Sequence, residues 1–424
     1  MFQTFWQKFK IVLQDSGLRK RIGFIFFILL LFRVGAAIPV PGVDLLRLEA
    51  FLSGNQFFGL LNIFSGGGLS NLSIVMLGLG PYITGSIIMQ LATIMSSKLK
   101  ALYHEEGEAG RRRFNQYSRM LTVPLAVTQG FGLLTLLERS NVLSYANFFD
   151  KSLDIIVVTA GAVLLMWLGE IISEKGIGNG VSILIFAGIV ASLPTTISRL
   201  IATFDPSQIP IYIGFFVAAI VIVGGVVFIT EAERPIPITY AKRVRGNKVY
   251  GGVSTYLPLR VNQAGVIPII FALSLLLFPQ MIVSFLANVN NAIIQTVSSI
   301  ILAILQNPWI YGGLYFILVF LFTYFYTAIT FDPDAISQNL QRGGAFIPGV
   351  RPGVHTAEHI GSILNRITLF GALFLGIIAV LPIVMQGITG LTSLAIGGTA
   401  LLIVVSVVLD LMKKVDAQIT MREY

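Results

Sequence analysis

Long apolar runs separated by short polar segments make up most of this chain of 424 residues. A helix needs about 20 mainly apolar residues to cross the hydrocarbon core of a bilayer. Ten runs reach or approach that length, and each predicts a membrane-spanning helix. The predicted spans cover residues 22–38, 74–96, 120–138, 153–172, 181–200, 210–230, 262–284, 309–331, 366–386 and 391–411. The pattern therefore predicts an all-α, polytopic membrane protein.

Positive charge predicts the orientation of these spans. Of the 29 Lys and Arg residues, 24 lie in the N-terminal segment, in alternate loops or in the C-terminal tail, counting Arg366 at the membrane edge. The loops concerned are 97–119, 174–180, 231–261 and 332–365. Such residues concentrate on the cytoplasmic side of membrane proteins. We therefore predict a multi-pass membrane protein whose termini and basic loops are cytoplasmic.

The spans divide into two sets of five near residue 205. Residues 1–205 form a predicted N-terminal half and residues 206–424 a C-terminal half. Because five is odd, the second half enters the membrane from the opposite face, which permits an inverted repeat with a functional site between the halves. Before the first span, residues 2–14 place aromatic and polar side chains at helical spacing. That pattern predicts an amphipathic helix lying in the membrane interface.

Composition argues against several kinds of chemistry. The chain is 55% hydrophobic and 12% charged, and it contains no cysteine, so disulfides and cysteine nucleophiles are absent. The segment "HTAEH", 355–359, matches an H-x-x-E-H metal pattern. Its place at the end of a basic loop favours a solvated loop over a metal site. Acidic residues lie at span edges, whereas ion-coupled transporters place them deep in the membrane. We predict no catalytic residue, metal or cofactor.

One charge, Arg33, falls inside a predicted span. An Arg at that depth costs about 2.5–3.5 kcal/mol on insertion scales. Its side chain either reaches the nearer surface or faces an internal cavity and donates to carbonyls freed at Gly35 or in the stretch "SGGG". We favour the second interpretation, because Phe32 and a run of aliphatic residues precede Arg33.

The stretch "NIFSGGGLSNLS", 62–73, places three glycines between two apolar segments. Residues 57–65 would form a helix of about 14 Å, half of a hydrocarbon core, which is too short to span. Lipid does not tolerate an open glycine backbone. We therefore predict that residues 57–72 form a displaceable plug on the exterior side, with an exposed flexible loop as the alternative. The residues of this plug are Phe57, Phe64, Gly66, Gly67 and Gly68.

The following span contains aliphatic residues that suit a pore lining. Leu79 and Ile83 lie one helical turn apart, as do Val181 and Ile185 in the fifth span. A pore ringed by branched aliphatic side chains closes by dewetting and offers no fixed site to a small solute. Spacing alone does not show that these residues face a pore, because most aliphatic residues in such a protein pack together or meet lipid.

Several long motifs resemble the SecY family, the channel subunits of the Sec protein translocon, over essentially the whole chain. They are "RVGAAIPVPG" (33–42), "NIFSGGGLSNLSIVMLGLGPYITGSIIMQL" (62–91), "EEGEAGRRRFNQYSR" (105–119), "EKGIGNGVSILIFAGIVASLP" (174–194), "AERPIPITYAKR" (232–243), "LPLRVNQAGVIPIIFALSLLLFP" (257–279), "GAFIPGVRPG" (344–353) and "GGTALLIVVSVVLD" (397–410). The resemblance implies ten helices in two inverted halves, an hourglass pore, a plug and a lateral gate to lipid. It also implies a channel that passes unfolded secretory polypeptides and releases transmembrane segments sideways.

The resemblance assigns roles to individual residues. The implied pore ring consists of Leu79, Ile83, Val181, Ile185, Ile270 and Ile403. The implied lateral gate, between spans two and three and spans seven and eight, includes Thr84 and Phe278, with Gln90, Gln129 and Asn262 as polar residues nearby. These polar groups form either a hydrogen-bond latch or ordinary interhelical contacts, which average under about 1 kcal/mol.

The resemblance also implies partners. The SecA ATPase or the ribosome would drive transport by docking on the basic loops, and SecE and SecG would be accompanying subunits. The docking residues are Arg243, Arg245, Lys248, Arg342 and Arg351. Lys and Arg would bind ribosomal RNA phosphates in a salt-dependent manner. Topology alone explains most of these charges, but not the rigid frame "IPGVRPG" that holds Arg351.

Two other classes of function stay open at this point. A secondary transporter of a small solute would need acidic residues at the membrane midplane or a polar binding site, and neither is found in the spans. An intramembrane protease would need a nucleophile with its base, or zinc ligands, within the spans. A passive protein-conducting channel, powered by a partner, fits the sequence best.

Overall fold

A computed structural model shows a bundle of long helices with a small sheet at one end. The structure describes residues 15–44, 47–48, 62, 65–104, 106–145, 147–202, 206, 209–241, 243–245, 248–250, 254–286, 292–389 and 392–423. The predicted amphipathic helix at 2–14 and most of the predicted plug, including Phe57 and Phe64, lie outside the described residues.

The helices follow the predicted spans closely. In the first part of the chain they are α1 (Ser16–Ala37), α2 (Gly80–Met95), α3 (Ser97–His104), α4 (Gly107–Arg139), α5 (Phe148–Lys175) and α6 (Gly180–Ala202). In the second part they are α7 (Ile209–Glu231), α8 (Ile267–Leu286), α9 (Ala292–Gln306), α10 (Pro308–Thr330), α11 (Pro333–Arg342), α12 (Val354–Thr389) and α13 (Thr392–Glu423). Each of the ten predicted spans overlaps one of these helices, which confirms the all-α membrane fold.

Five stretches of helix within the described residues are long and apolar enough to cross a membrane by length and composition alone. They are Gly107–Arg139, Phe148–Lys175, Tyr212–Glu231, Pro308–Arg342 and Val354–Met385. Shorter apolar stretches of helix occur at Gly180–Pro194 and Ile267–Leu276, inside two further predicted spans.

Side-chain caps set the starts of several helices. The Asp15 carboxylate accepts a hydrogen bond from the Gly17 amide (2.8 Å) at the beginning of α1. The Asn307 side chain accepts from the Trp309 amide (3.0 Å) at the start of α10, whose first residue is Pro308. Such caps satisfy amides that lack a partner within the helix, and proline suits the first helical position. These residues therefore fix where the chain enters each helix.

The second predicted span begins later than the sequence suggested. Residues 65–79 form successive turns, and α2 starts only at Gly80. Three glycines in this segment, Gly66, Gly67 and Gly78, have positive φ angles of 68°, 82° and 58°, which the α-helix does not allow. The prediction of a helix from residue 74 is therefore wrong for its first six residues. The apolar run there is a buried non-helical segment, which we call the turn segment (65–79).

Backbone hydrogen bonds join the turn segment to the end of α1. The Val40 amide donates to the Leu72 carbonyl (2.8 Å), and the Ile74 amide donates to the Ile38 carbonyl (3.0 Å). A second contact of this kind links the Asp44 amide to the Val142 carbonyl (3.1 Å), beyond the end of α4. These bonds tie three separate parts of the chain together at the predicted exterior end.

Two of the basic loops contain strands, which the sequence analysis did not predict. β1 (Glu233–Tyr240) pairs in antiparallel fashion with β4 (Ser254–Arg260) and with β5 (Ala345–Phe346), in the order β4-β1-β5. A second, two-stranded sheet joins β2 (Arg243–Arg245) to β3 (Lys248–Tyr250). Ile236, Leu259 and Ile360 are buried together beneath the larger sheet. The loops 231–261 and 332–365 therefore form one folded unit.

Candidate pore and lateral gate

Five of the six residues predicted to form the pore ring are buried in the same large hydrophobic cluster. Ile185 and Ile403 are each 1% exposed, and Leu79, Ile83 and Ile270 are 5% exposed or less. The sixth, Val181, is half-buried and packs against this cluster. The cluster also contains residues that serve helix packing, such as Tyr315, so the ring itself stays a prediction.

The helices that carry these residues meet in pairs. Helix α2, with Ile83, packs against α8, which carries Ile270. Helix α6, with Ile185, packs against α13, which carries Ile403. In each pair, one helix comes from the first part of the chain and the other from the second. Five of the predicted ring residues thus lie on helices that join the two parts, and the sixth, Leu79, ends the turn segment directly before α2.

The turn segment is packed tightly between helices. A Cβ atom added to Gly66 would collide with the ring of Phe32 in α1 and lie 3.2 Å from the Cα of Gly188 in α6. On another side, a Cβ at Gly161 of α5 would collide with the carbonyl of Ile74. Small residues therefore let the backbones of α5 and α6, and the Phe32 ring of α1, approach the turns closely. Gly66 and Gly68 are buried, and Gly67 is half-buried.

Arg33 binds the carbonyl oxygen of Gly66. Its Nη1 atom donates a hydrogen bond of 3.1 Å to that oxygen, across 33 residues of sequence. The predicted bond between Arg33 and a carbonyl of the glycine-rich stretch is therefore confirmed. Asn62 supports the same turns, because its backbone carbonyl accepts from the Gly67 amide (2.8 Å) and its side chain accepts from the Ser70 amide (2.8 Å).

The predicted gate helices are in contact. Helix α8 packs against both α2 and α4, so the seventh span touches the second and third. Thr84 donates to the carbonyl of Gly80 in its own helix (2.9 Å), and the Asn262 amide group donates to the Gly265 carbonyl (3.1 Å). Both bonds are local. The latch between polar side chains therefore stays a prediction.

The remaining gate residues have different surroundings. Gln129 is half-buried, and its Oε1 atom would lie 3.8 Å from a Cβ added to Gly80. Two buried oxygens, Gln90 Oε1 and Asn262 Oδ1, have no hydrogen-bond partner among the described residues. Phe278 lies in α8, and its side chain is outside the described part of the structure. A buried acceptor without a partner costs about 1–3 kcal/mol.

An ion pair that the sequence analysis missed links α4 and α5. The Arg119 Nε atom lies 2.6 Å from Glu170 Oε1, and the Glu170 side chain is 15% exposed. A signal was present in the sequence, because these residues lie at the same edge of two adjacent, oppositely directed spans. Removal of one partner from such a half-buried pair leaves a charge without compensation.

Arg351 lies in a loop held by the helices around it. The Arg351 carbonyl accepts a hydrogen bond from the Thr356 hydroxyl (2.9 Å), and the Ser337 hydroxyl donates to the Gly353 carbonyl (2.6 Å). The Arg351 side chain itself is exposed. The loop therefore presents an exposed positive charge from a fixed backbone.

The other predicted docking residues also lie in the basic loops, which the charge distribution places on the cytoplasmic side. Arg342 is exposed at the end of α11. Arg243, Arg245 and Lys248 lie in the β2–β3 hairpin, where Arg245 pairs with Lys248 in backbone register. The side chains of these three residues are outside the described part of the structure.

The "HTAEH" segment forms an exposed pair rather than a closed site. His355 Nδ1 lies 3.4 Å from Glu358 Oε2, and both side chains are more than 60% exposed. Within the residues that the structure describes, no three His, Cys, Asp or Glu side chains come together as a candidate metal site.

Comparisons with known proteins agree on one family. The family model called SecY matches residues 73–412. The protein translocase subunit SecY of Corynebacterium glutamicum is 42% identical over 436 residues, which cover 97% of each chain. A solved structure of a protein-conducting channel is similar in fold, with a TM-score of 0.64 and 18% identity over 93% of this chain and 90% of the other.

A further solved structure, Sec61 in the canine ribosome-channel complex from the endoplasmic reticulum, has a TM-score of 0.60 and 17% identity over the same shares of the two chains. At these identities the solved structures support the fold alone, whereas the bacterial relative matches over almost its full length. The extended match in sequence and the helical bundle in structure together show that this chain belongs to the SecY family.

Proposed function

We propose that this chain forms the protein-conducting pore of a bacterial translocase, through which unfolded secretory polypeptides cross the membrane. One observation carries the proposal: uncharged aliphatic residues on α2, α6, α8 and α13 are buried in one cluster where the two parts of the chain meet. Such a lining closes by dewetting and has no fixed site for a small solute. The role is passive, without catalysis or a cofactor, and a partner supplies the energy.

The two parts of the chain, 1–205 and 206–424, are the proposed halves of the channel. Contacts between α2 and α8 and between α4 and α8 support a lateral gate at one side of the pore. Opening there would expose the pore interior to lipid, so an apolar segment of a passing chain could leave sideways. Thr84, Gln90, Gln129, Asn262 and Phe278 are the proposed gate residues.

The proposed plug comprises residues 57–72. The turn segment supports this proposal at its C-terminal end, because Gly66 packs against α1 and α6 and is bonded by Arg33. In the closed channel these contacts would hold the base of the plug beside the ring. A chain that enters the pore would displace it.

The exposed basic loops are the proposed docking surface for SecA or for a ribosome, whose RNA phosphates attract Lys and Arg. The fixed backbone around Arg351 supports this role. SecE and SecG are the proposed accompanying subunits. The proposed location is the cytoplasmic (inner) membrane, as for a bacterial translocase, and the distribution of Lys and Arg supports cytoplasmic termini.

Conductance in planar bilayers tests the pore. Replacement of Ile83, Ile185 and Ile403 together by Ser should raise the resting ion conductance, because hydroxyl groups allow water to enter the constriction. A matched variant that replaces three lipid-exposed residues by Ser, Ile88, Leu193 and Ile377, controls for general destabilisation. Equal conductance in the two variants and the wild type would contradict the proposed ring.

A disulfide tests the plug. Because the chain has no cysteine, a pair introduced at Phe64 and on a helix beside the ring forms a defined cross-link. Oxidation should block translocation in vesicles, and reduction should restore it. If locked channels transport at the full rate, residues 57–72 are not a displaceable plug.

A further inference from the structure

Helix α9 (Ala292–Gln306) has no counterpart among the predicted spans, and it joins two of them. It begins shortly after α8 and ends immediately before α10. Since α8 follows strand β4 and α10 leads to α11 and β5, α9 lies at the end of the bundle opposite the three-stranded sheet. It packs against both of its neighbours along the chain.

The side chains of α9 fall on three faces. At about 100° per residue, Ile294, Ser298 and Leu305 share the face that packs on the protein, where each is buried or half-buried. Gln295, Thr296 and Ser299 lie on an exposed polar face. Between these two faces runs an apolar stripe at spacing i, i+4, i+7 and i+11, formed by Ile293, Val297, Ile300 and Ile304.

The apolar stripe is exposed, although it consists entirely of branched aliphatic residues. Its four members are between 45% and 75% exposed. In water, an exposed apolar stripe of this kind is unfavourable, because burial of apolar surface lowers the free energy. A helix with one polar and one apolar exposed face is typical of segments that lie in a membrane interface.

The next helix carries an exposed apolar stripe of the same spacing, which indicates what covers the stripe of α9. On α10, Ile310, Leu314, Ile317 and Leu321 are all exposed at the same spacing of i, i+4, i+7 and i+11. Because α10 belongs to a candidate membrane span, this surface meets lipid. Trp309, at the junction of α9 and α10, is 62% exposed. Tryptophan is enriched at the level of the lipid headgroups, so its position marks the edge of the membrane.

We propose that α9 lies in the membrane interface at the exterior end of the protein, with its apolar stripe buried among the acyl chains of the outer leaflet. The polar face of Gln295, Thr296 and Ser299 then meets water, and Trp309 fixes the depth. The helix contains no charged residue, so neutral and anionic lipids should bind it equally, independently of salt. Through this contact the lipid surface holds the far end of α8.

Site-directed fluorescence in liposomes tests the proposal without any measurement of transport. The full chain has no cysteine, so a single cysteine carries an environment-sensitive label at each chosen position. Ile300→Cys places the label on the apolar stripe. Ser299→Cys, one residue away, is the matched control on the polar face, and Leu305→Cys is the control on the protein face. Quenchers attached at shallow and deep positions of the lipid chains, and iodide in the aqueous phase, report the surroundings of each label.

The label at Ile300→Cys should be quenched by lipid-attached quenchers, more by the shallow than by the deep one, because interfacial helices insert about 5–10 Å. The label at Ser299→Cys should be quenched by iodide. Strong iodide quenching at both positions would place α9 in water and overturn the proposal. Protection of Ile300→Cys from both lipid and iodide would show that a protein covers the stripe, which also overturns it. Liposomes with and without anionic lipid should give the same lipid quenching of this label. If the quenching depends strongly on the anionic lipid, the proposal that α9 binds lipid without regard to charge is wrong.

Discussion

Substitution of Gly66 by Ala tests how the turn segment is held. Gly66 has a φ angle of 68°, and a Cβ atom there would collide with the ring of Phe32. Phe32 is 4% exposed and cannot move into open space without disturbing its cluster. Both penalties exist only while the segment is seated, so the substitution favours the displaced state.

The magnitude has two parts. An Ala in a left-handed conformation costs about 1–2 kcal/mol, and overpacking of a well-packed core costs about 1–3 kcal/mol. Gly67→Ala is the matched control, because Gly67 has a φ angle of 82° but its nearest neighbour, Arg33 Nη1, is 3.7 Å from the added atom. Gly67→Ala therefore incurs only the cost of the left-handed backbone conformation. The difference of about 1–3 kcal/mol corresponds to between about fivefold and about 150-fold in the population of the displaced state.

The assay is the resting ion conductance of purified channels in planar bilayers, with thermal stability in detergent measured in parallel. Gly66→Ala should leak more than Gly67→Ala, and Phe32→Leu combined with Gly66→Ala should bring the leak back towards that of Gly67→Ala. If Gly66→Ala and Gly67→Ala leak equally, the contact with Phe32 does not hold the segment, and the reasoning from packing is wrong.

Three further predictions concern charged residues. Arg33→Gln should raise the resting leak, because a neutral amide loses the charge-assisted bond to the Gly66 carbonyl; bilayer conductance measures it, and Arg33→Lys should retain part of the seal. Arg351→Glu should leave thermal stability unchanged but sharply reduce ATP-driven translocation into vesicles, since the side chain is exposed; normal translocation would contradict a docking role. Arg119→Gln should lower the thermal unfolding temperature, because it leaves Glu170 without its partner, and Glu170→Gln in the same chain should recover most of the loss; unfolding in detergent measures both.

The hydrophobic pattern predicted the spans because a long apolar run in a membrane protein has few alternatives to a helix. The turn segment shows where this inference ends. Residues 74–79 are apolar, yet they form turns whose amides bond locally, as the Met76 amide does with the Ser73 carbonyl and the Gly78 amide with the Val75 carbonyl. A buried apolar segment can satisfy its backbone groups either in turns or in a helix, and its amino-acid composition is the same in both cases. Only the glycines, here Gly78 with its positive φ angle, distinguish the two.

The three-stranded sheet escaped prediction because of its prolines. Pro235 and Pro237 lie in β1, the central strand of the order β4-β1-β5, where proline is unfavourable. Strand β5, however, pairs with β1 only at Thr239 and Tyr240. At the prolines, β1 is therefore paired only with β4, and its other side is an edge of the sheet. The sequence does not show that this side of β1 lacks a neighbour there.

The pore ring marks a different limit of sequence reasoning. An isoleucine that lines a pore and one that packs between helices have the same composition and the same helical spacing, so only the family resemblance assigns Ile270 and Ile403 to the predicted ring. Arg33 was accessible to physical reasoning, because a lone charge within an apolar run requires a polar partner and the glycine-rich stretch was the nearest supply of free carbonyls.

The contacts between the end of α1, the turn segment and residue 142 have a consequence for genetics. They are backbone hydrogen bonds, from the amides of Val40, Ile74 and Asp44, so replacement of a side chain leaves each bond in place. A library of ordinary substitutions therefore reports the packing of buried side chains such as Val40 and Leu72, but it does not test the bonds that connect the three parts of the chain. Proline alone removes an amide proton. A proline scan across 38–44 and 72–74 would reveal a structural requirement that side-chain mutagenesis cannot detect.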